Sequence, residues 1–159
     1  MLVITSTTTL VPDNPAAAYA AYRQAASAVF LAGTQGLKYK KDHYDLAVDL
    51  SKAGLTYIDE RADEIVIGAM TPLWQIKISQ AIQNFAGGAI SKAISDVADK
   101  NIQRYGTLGG VISSKAPFSV LLPILLSLHV DVQLQDKGRM SLDGYLHSPP
   151  MGELVSGIC

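Results

Sequence analysis

Arg104-Tyr-Gly-Thr-Leu-Gly-Gly110 is the stretch on which the reading of this chain turns. Gly109 and Gly110 carry no Cβ, so a backbone there can approach another group closely. Thr107 adds a hydroxyl able to donate to a phosphate oxygen. Successive N–H groups in such a turn can form an anion-binding concavity. Taken alone, the segment reads more simply as a tight glycine turn. It gains meaning from a second glycine segment, Ala32-Gly-Thr-Gln-Gly36, which follows the short apolar run Ala28-Val-Phe-Leu31.

Working outward, Ala89-Ile90, Ala93-Ile94 and Val97-Ala98 recur at helical spacing and predict an amphipathic helix before the main glycine segment. After it comes the apolar helix candidate Ser119 to Leu128, with Ser119 as cap and Pro123 in the first turn, where a missing donor matters least. Toward the N-terminus, Met1 to Val11 is threonine-rich and β-branched, as a strand or extended arm would be. Asn14-Pro15 starts an alanine-rich helix. Ala28–Leu31 and the alternating Tyr44–Leu50 read as strands, giving a βαβ beginning. The Lys38–Lys41 cluster between them reads as a solvated loop. Tyr57-Ile58 and Glu64–Gly68 read as strands joined by the charged turn Asp59–Asp63. Thr71-Pro72 reads as a second helix start, with Trp74, Ile78 and Ile82 on one buried face. His129–Gln135 and Arg139–Leu142 predict a hairpin turning at Lys137-Gly138. Glu153–Ile158 reads as a strand with an open edge, prone to association, with Cys159 at its tip.

Composition narrows the function. The chain has 159 residues, 48% of them hydrophobic and 17% charged, as expected of one ordinary domain. Thirteen Lys plus Arg against 14 Asp plus Glu give a net charge of −1, which points to neither a nucleic-acid nor a polybasic membrane partner. No apolar run is long enough to span a bilayer and the N-terminus lacks a basic leader, so the cytoplasm is the expected compartment. The single cysteine, Cys159, closes no intrachain disulfide and cannot alone hold an iron–sulfur cluster. His43, His129 and His147 have no metal-ligand spacing, so no metal site is expected. No Ser/His/Asp, Cys/His or paired-carboxylate arrangement stands out, and no catalytic residue is assigned. Neither glycine segment is G-x-G-x-x-G, which sets aside a Rossmann reading. Two segments supplying backbone donors could instead grip a pyrophosphate from two sides.

Several motifs together carry a resemblance. Ala32-Gly-Thr-Gln-Gly-Leu37 resembles the A-G-G-Q-S-L loop of FAD subunits in the molybdenum hydroxylase family, the xanthine dehydrogenase and carbon monoxide dehydrogenase type. Ile67-Gly-Ala-Met-Thr71 is similar to its I-G-A-x-T junction. Ile102 to Gly110 is similar to its I-R-N-x-x-T-x-G-G-N loop, and Pro117 with Ser119–Leu126 to the helix that follows. The likeness through Ser-Val-Leu-Leu-Pro is closest to FAD subunits assigned to selenium-dependent molybdenum hydroxylases. The resemblance implies an α+β, two-lobed PCMH-type FAD-binding fold: a small βαβ lobe over about residues 1–55, and a larger lobe with an antiparallel sheet and helices over about 56–159. The family's C-terminal domain is not expected within these residues. It implies an oxidoreductase subunit that carries FAD and passes electrons from iron–sulfur clusters to NAD or another acceptor. The clusters and the molybdenum cofactor would sit in partner subunits. The cofactor contacts it implies are Leu31, Ala32, Gly33, Thr34, Gln35 and Gly36 in the first segment, and Thr107, Leu108, Gly109, Gly110 and Val111 in the second.

Three positions depart from the family pattern. Thr34 stands for a glycine, Val111 for an asparagine and Val120 for an aspartate. They motivate an alternative, a structural or assembly subunit of such a complex that has lost FAD binding. A generic nucleotide-binding module is a third reading.

Overall fold

The computed structural model describes residues 5–35, 37, 42–97, 99–117, 119–149 and 152–159. The charge cluster at 38–41, Gly36 and Ala98 lie outside the described residues.

A three-stranded parallel sheet forms from β1 (Thr5–Leu10), β2 (Ala28–Leu31) and β3 (His43–Asp49), in the order β1-β3-β2. Helix α1 (Pro15–Gln24) bridges β1 and β2. It starts as the sequence predicts: Asn14 is the N-cap, its Oδ1 accepting from Ala17 N–H at 2.8 Å, and Pro15 sits where its missing donor costs nothing. Ala18 and Tyr19 of α1, Val48 and Leu50 form the core of this part, together with Leu154 from far along the chain.

The remainder carries a five-stranded antiparallel sheet, β4 (Ile58–Glu60), β5 (Ile65–Gly68), β6 (Asp131–Leu134), β7 (Gly138–Ser141) and β8 (Val155–Ile158), in the order β4-β5-β8-β6-β7. Strand β4 takes Asp59 and Glu60 from the expected turn. Helices α2 (Leu73–Ile78), α3 (Gln80–Asn84), α4 (Ala89–Ser95), α5 (Lys100–Tyr105), α6 (Leu108–Ser114), α7 (Leu121–Ser127) and α8 (Leu142–His147) complete it. Their apolar faces meet the sheet in one cluster built on Ile76, Ile94, Ile112, Leu125 and Val132, each at or near zero exposure. Removing such residues from water is the main stabilising term. Pro123 falls in the first turn of α7, as expected, but the N-cap residue is Val120 and not Ser119, whose Oγ accepts only a long bond from Leu122 N–H at 3.4 Å. Helix α8, not anticipated from the sequence, starts at Ser141, whose hydroxyl accepts from Gly144 N–H at 3.1 Å.

Three further expectations are overturned. Trp74 is not a core anchor: it is 44% exposed and Ile78 60%, whereas Ile82 is buried. The extended backbone of Ser79 ends α2 after six residues, so the stripe of four-residue spacing does not continue into α3, and α2 buries Leu73 and Ile76 instead. Thr71 does not cap α2. Its buried hydroxyl donates to Tyr57 O (2.9 Å) and accepts from Tyr57 N–H (3.1 Å), holding the chain against β4. Finally, β8 is not an open edge; it lies between β5 and β6. Cys159 is half-buried beside Asp131, its N–H donating to Asp131 O at 3.0 Å, and burial pushes its thiol pKa up. A central strand and a thiol kept protonated remove the physical basis for disulfide-linked association.

Ile158 tests this placement. At 3% exposure in a central strand, Ile158→Ala should cost about 2–5 kcal/mol of unfolding free energy in a denaturant titration. A change below about 0.5 kcal/mol, the usual surface value, would mean a frayed terminal strand.

Candidate functional site

The two glycine segments meet. Gly33, just past β2, lies so close to the end of α5 that a Cβ built on it would fall 1.9 Å from Tyr105 O and 3.2 Å from Gly106 Cα. Glycine at 33 is thus demanded by the approach of another stretch of protein backbone, and not only by room for a ligand. Gly109 has the same character: its Cβ would fall 2.6 Å from that of Ala69.

The segments differ in what their N–H groups do. The second is not a loop, for Thr107 is the N-cap of α6 and Leu108 to Gly110 are its first turn. Leu108 N–H donates to Thr71 O (3.1 Å), Gly109 N–H to Ala69 O (2.8 Å), Gly110 N–H to Thr107 Oγ1 (3.3 Å) and Val111 N–H to Thr107 O (3.0 Å). All four donors are committed within the protein. Thr107, Leu108 and Gly109 are buried, Gly110 is exposed and Val111 half-exposed. The expected concavity of free donors is therefore absent from this segment, because a helix start satisfies its orphan N–H groups locally.

The first segment is open. Among the described residues, no acceptor lies within bonding geometry of the N–H groups of Ala32, Gly33 or Thr34. Gln35 braces the turn from within, its Nε2 donating to Gly33 O at 3.2 Å. Thr34, the departure from the family's glycine, is exposed and takes φ +54°. That is left-handed backbone, strained for a β-branched residue. Leu31 ends β2 beneath the turn.

The surroundings add little chemistry. Neither of two shallow depressions, one lined by Lys115, Pro117, Leu122 and Leu146 and the other by Lys77, Gln83, Ser91 and Lys92, includes a residue of either glycine segment. Among the described residues, no group of three His, Cys, Asp or Glu could hold a metal ion, and no helix is long and apolar enough to cross a membrane. Unpaired N–H groups on a strand-end turn fit an anionic ligand such as the pyrophosphate of a dinucleotide. The fit rests on the first segment.

Two stability measurements check this assignment. Gly33→Ala forces a Cβ into backbone that cannot yield cheaply, so its melting temperature should fall, whereas Thr34→Gly should gain about 1 kcal/mol by releasing the left-handed strain. Thr107→Val removes a buried cap and should cost about 1 kcal/mol whether or not a ligand is added.

Comparison with known proteins bears on the fold and the family. The model of the family described as the FAD binding domain in molybdopterin dehydrogenase matches residues 5–158. The chain is 28% identical over 124 residues to the uncharacterized protein YgfM of Escherichia coli K12, covering 77% of this chain and 46% of that protein. It thus spans about half the length of the curated relatives it matches. Among solved structures, the cyanide-inactivated form of a Cu,Mo-CO dehydrogenase superposes with a TM-score of 0.86 at 24% identity, over 99% of this chain and 59% of that one. A carbon monoxide dehydrogenase from Hydrogenophaga pseudoflava lacking the Mo-pyranopterin moiety gives 0.84 at 24% identity, over 94% and 57%. Quinoline 2-oxidoreductase from Pseudomonas putida 86 gives 0.79 at 18% identity, over 99% and 58%. At these identities the structures establish the fold, which is the α+β architecture that the resemblance implies. The match over 5–158 establishes the family: the chain belongs to the FAD-binding domains of the molybdopterin dehydrogenases.

Proposed function

We propose that this chain holds FAD as the flavin subunit of a molybdenum hydroxylase complex, and that electrons from iron–sulfur clusters in a partner subunit leave through it to NAD or another acceptor. The family match over residues 5–158 carries this reading. The open donors of Ala32, Gly33 and Thr34 support it at the level of the site. In this proposal residues 1–55 and 56–159 act as two lobes that share the cofactor. Ala32 to Thr34 bind the pyrophosphate through backbone N–H groups. Leu31 fixes where the turn begins and Gln35 keeps it folded back. Gly110 and Val111 contribute surface, while the buried Thr107, Leu108 and Gly109 hold the start of α6 in place, the donors of residues 108–111 being tied down. When bound, FAD supplies the redox chemistry, and the chain's own residues position it and exclude water. The substrate-oxidising molybdenum centre belongs, in this reading, to another subunit.

A second reading has its own observation. The left-handed Thr34 and the fully committed donors of residues 108–111 leave fewer polar groups for a flavin than two open glycine loops would. A structural or assembly subunit without FAD would show the same features.

The two readings separate in one experiment. The protein purified with added FAD and passed through gel filtration should keep flavin absorption bands, and Gly33→Val should lose them. Calorimetric silence with FAD, together with co-purification of molybdenum and iron–sulfur subunits, would select the assembly reading and overturn the first.

A further inference from the structure

The face of α2 that turns away from the core carries two large apolar side chains. Trp74 is 44% exposed and Ile78 60%, and residues four apart on a helix stand side by side. They make one apolar strip, unlike the single exposed residues that every surface has. Lys77 stands on the flank of that strip. It lines a shallow depression of about 340 Å³ together with Gln83, Ser91 and Lys92. Gln83 Nε2 donates to Lys77 O at 3.1 Å, which fastens the rim of the depression to the end of α2. Lys92 Nζ donates to Gly87 O at 2.9 Å, so its ammonium is drawn toward the start of α4 and away from Asp96 at the other end. Among the described residues, neither lysine has a carboxylate partner. Residues 65–95 contain these two lysines and no acidic residue, although the chain carries 14. Two like charges therefore face one depression with no counter-charge in their own segment.

We infer that this α2–α4 face seats a protein partner: apolar side chains of the partner lie over Trp74 and Ile78, and one of its carboxylates enters the depression between Lys77 and Lys92. The inference rests on the proposed complex, whose subunits supply the partner, and adds the surface by which this chain is held in it. Tryptophan is among the side chains most enriched at the anchoring points of interfaces, where surrounding contacts exclude water. A carboxylate between two ammonium groups gains charge-assisted bonds and relieves their mutual repulsion. A second copy of this chain fits poorly. A two-fold contact sets a patch against itself, and here it would bring Lys77 and Lys92 against their own kind. An anionic lipid surface fits poorly too, since two lysines fall short of the clusters of roughly four to eight that recognise it. Neither glycine segment contributes to the depression among the described residues, so a partner can dock there without occupying the cofactor turn.

The test is assembly of the full chain with the iron–sulfur and molybdenum subunits, comparing wild type with Trp74→Ala and Lys77→Glu. Both variants change exposed side chains and should fold and retain FAD as wild type does. Trp74→Ala should weaken assembly about tenfold or more, as loss of an interface anchor does. Lys77→Glu should weaken it about tenfold and flatten its dependence on salt. Trp74 is the chain's single tryptophan, so labelling this chain with 5-fluorotryptophan gives a fluorine signal that reports on the face alone. That signal should shift on assembly and lose its sensitivity to solvent. Assembly of wild-type strength in folded Trp74→Ala or Lys77→Glu protein, or an unshifted fluorine signal in the assembled complex, would overturn the inference while leaving the complex intact. Dimerisation of the isolated chain, or its binding to phosphatidylserine vesicles, would overturn it as well if both variants abolished that association. Failure of the wild-type chain to assemble with either subunit would overturn the inference and the proposed complex together, whereas FAD binding is read separately.

Discussion

The backbone from Gly68 to Leu73 is the crossing on which the rest of the structure depends. Gly68 N–H donates to Tyr57 O, Ala69 N–H to Ser156 O and Met70 N–H to Leu55 O, each at 2.8–2.9 Å. In the other direction Ala69 O accepts from Gly109 N–H, Thr71 O from Leu108 N–H, and Leu73 N–H donates to Gly106 O at 2.9 Å. Six residues thus join the entry to the five-stranded sheet, its central strand β8 and the start of α6. Buried backbone polar groups must find partners, and here they find them in one another, which fixes three distant parts of the chain in register. Residues without large side chains make this possible: a Cβ on Gly68 would meet Leu55 O at 2.3 Å, and Gly109 lies against the small Ala69.

That crossing also explains why two glycine segments that look alike in sequence differ in use. Glycine permits close approach, but it does not say what approaches. At Gly109 the visitor is Ala69, and the neighbouring N–H groups go to the carbonyls of the crossing. At Gly33 the visitor is the Tyr105 carbonyl, which occupies the place a Cβ would take, and among the described residues the N–H groups of 32–34 have no acceptor. Backbone of residues 105 and 106 thus backs the first turn, whose donors are open among the described residues.

Local chemistry made much of this legible. The cap at Asn14, the hairpin across Lys137-Gly138 and the parallel β1-β3-β2 unit follow from residue types at short range, and the structure has them. Errors arose where a distant partner decided. Thr71 followed by Pro72 has the composition of a cap, yet its hydroxyl is drawn to Tyr57, fourteen positions back. Trp74 shares a helical face with Ile78 on paper, but Ser79 breaks the helix and turns that face outward. The strand at 155–158 reads as an edge because no partner stands near it in sequence, while its actual neighbours precede it by about ninety and by about twenty residues. Sequence shows the strand, not its place in the sheet. The commitment of the α6 donors was invisible for the same reason, since the acceptors lie in the crossing.

The same long-range closure ties the candidate site to the whole molecule. Tyr19 of α1 donates to Glu153 Oε1 at 3.0 Å, and Leu154, next in sequence, is buried in the core of the parallel-sheet part. One residue later the chain enters β8 at the centre of the other sheet. The segment 153–158 therefore belongs to both cores at once. Pairings of such sequence separation form late, after the loop-closure entropy has been overcome. The turn at Gly33 belongs to one sheet and Tyr105 to the helices covering the other, so their contact depends on the two cores being held in their mutual positions. A site assembled this way is as rigid as the junction between its parts. Loosening Tyr19–Glu153 or Leu154 would loosen the seating of Tyr105 O against Gly33 and with it the conformation of the turn at residues 32–34.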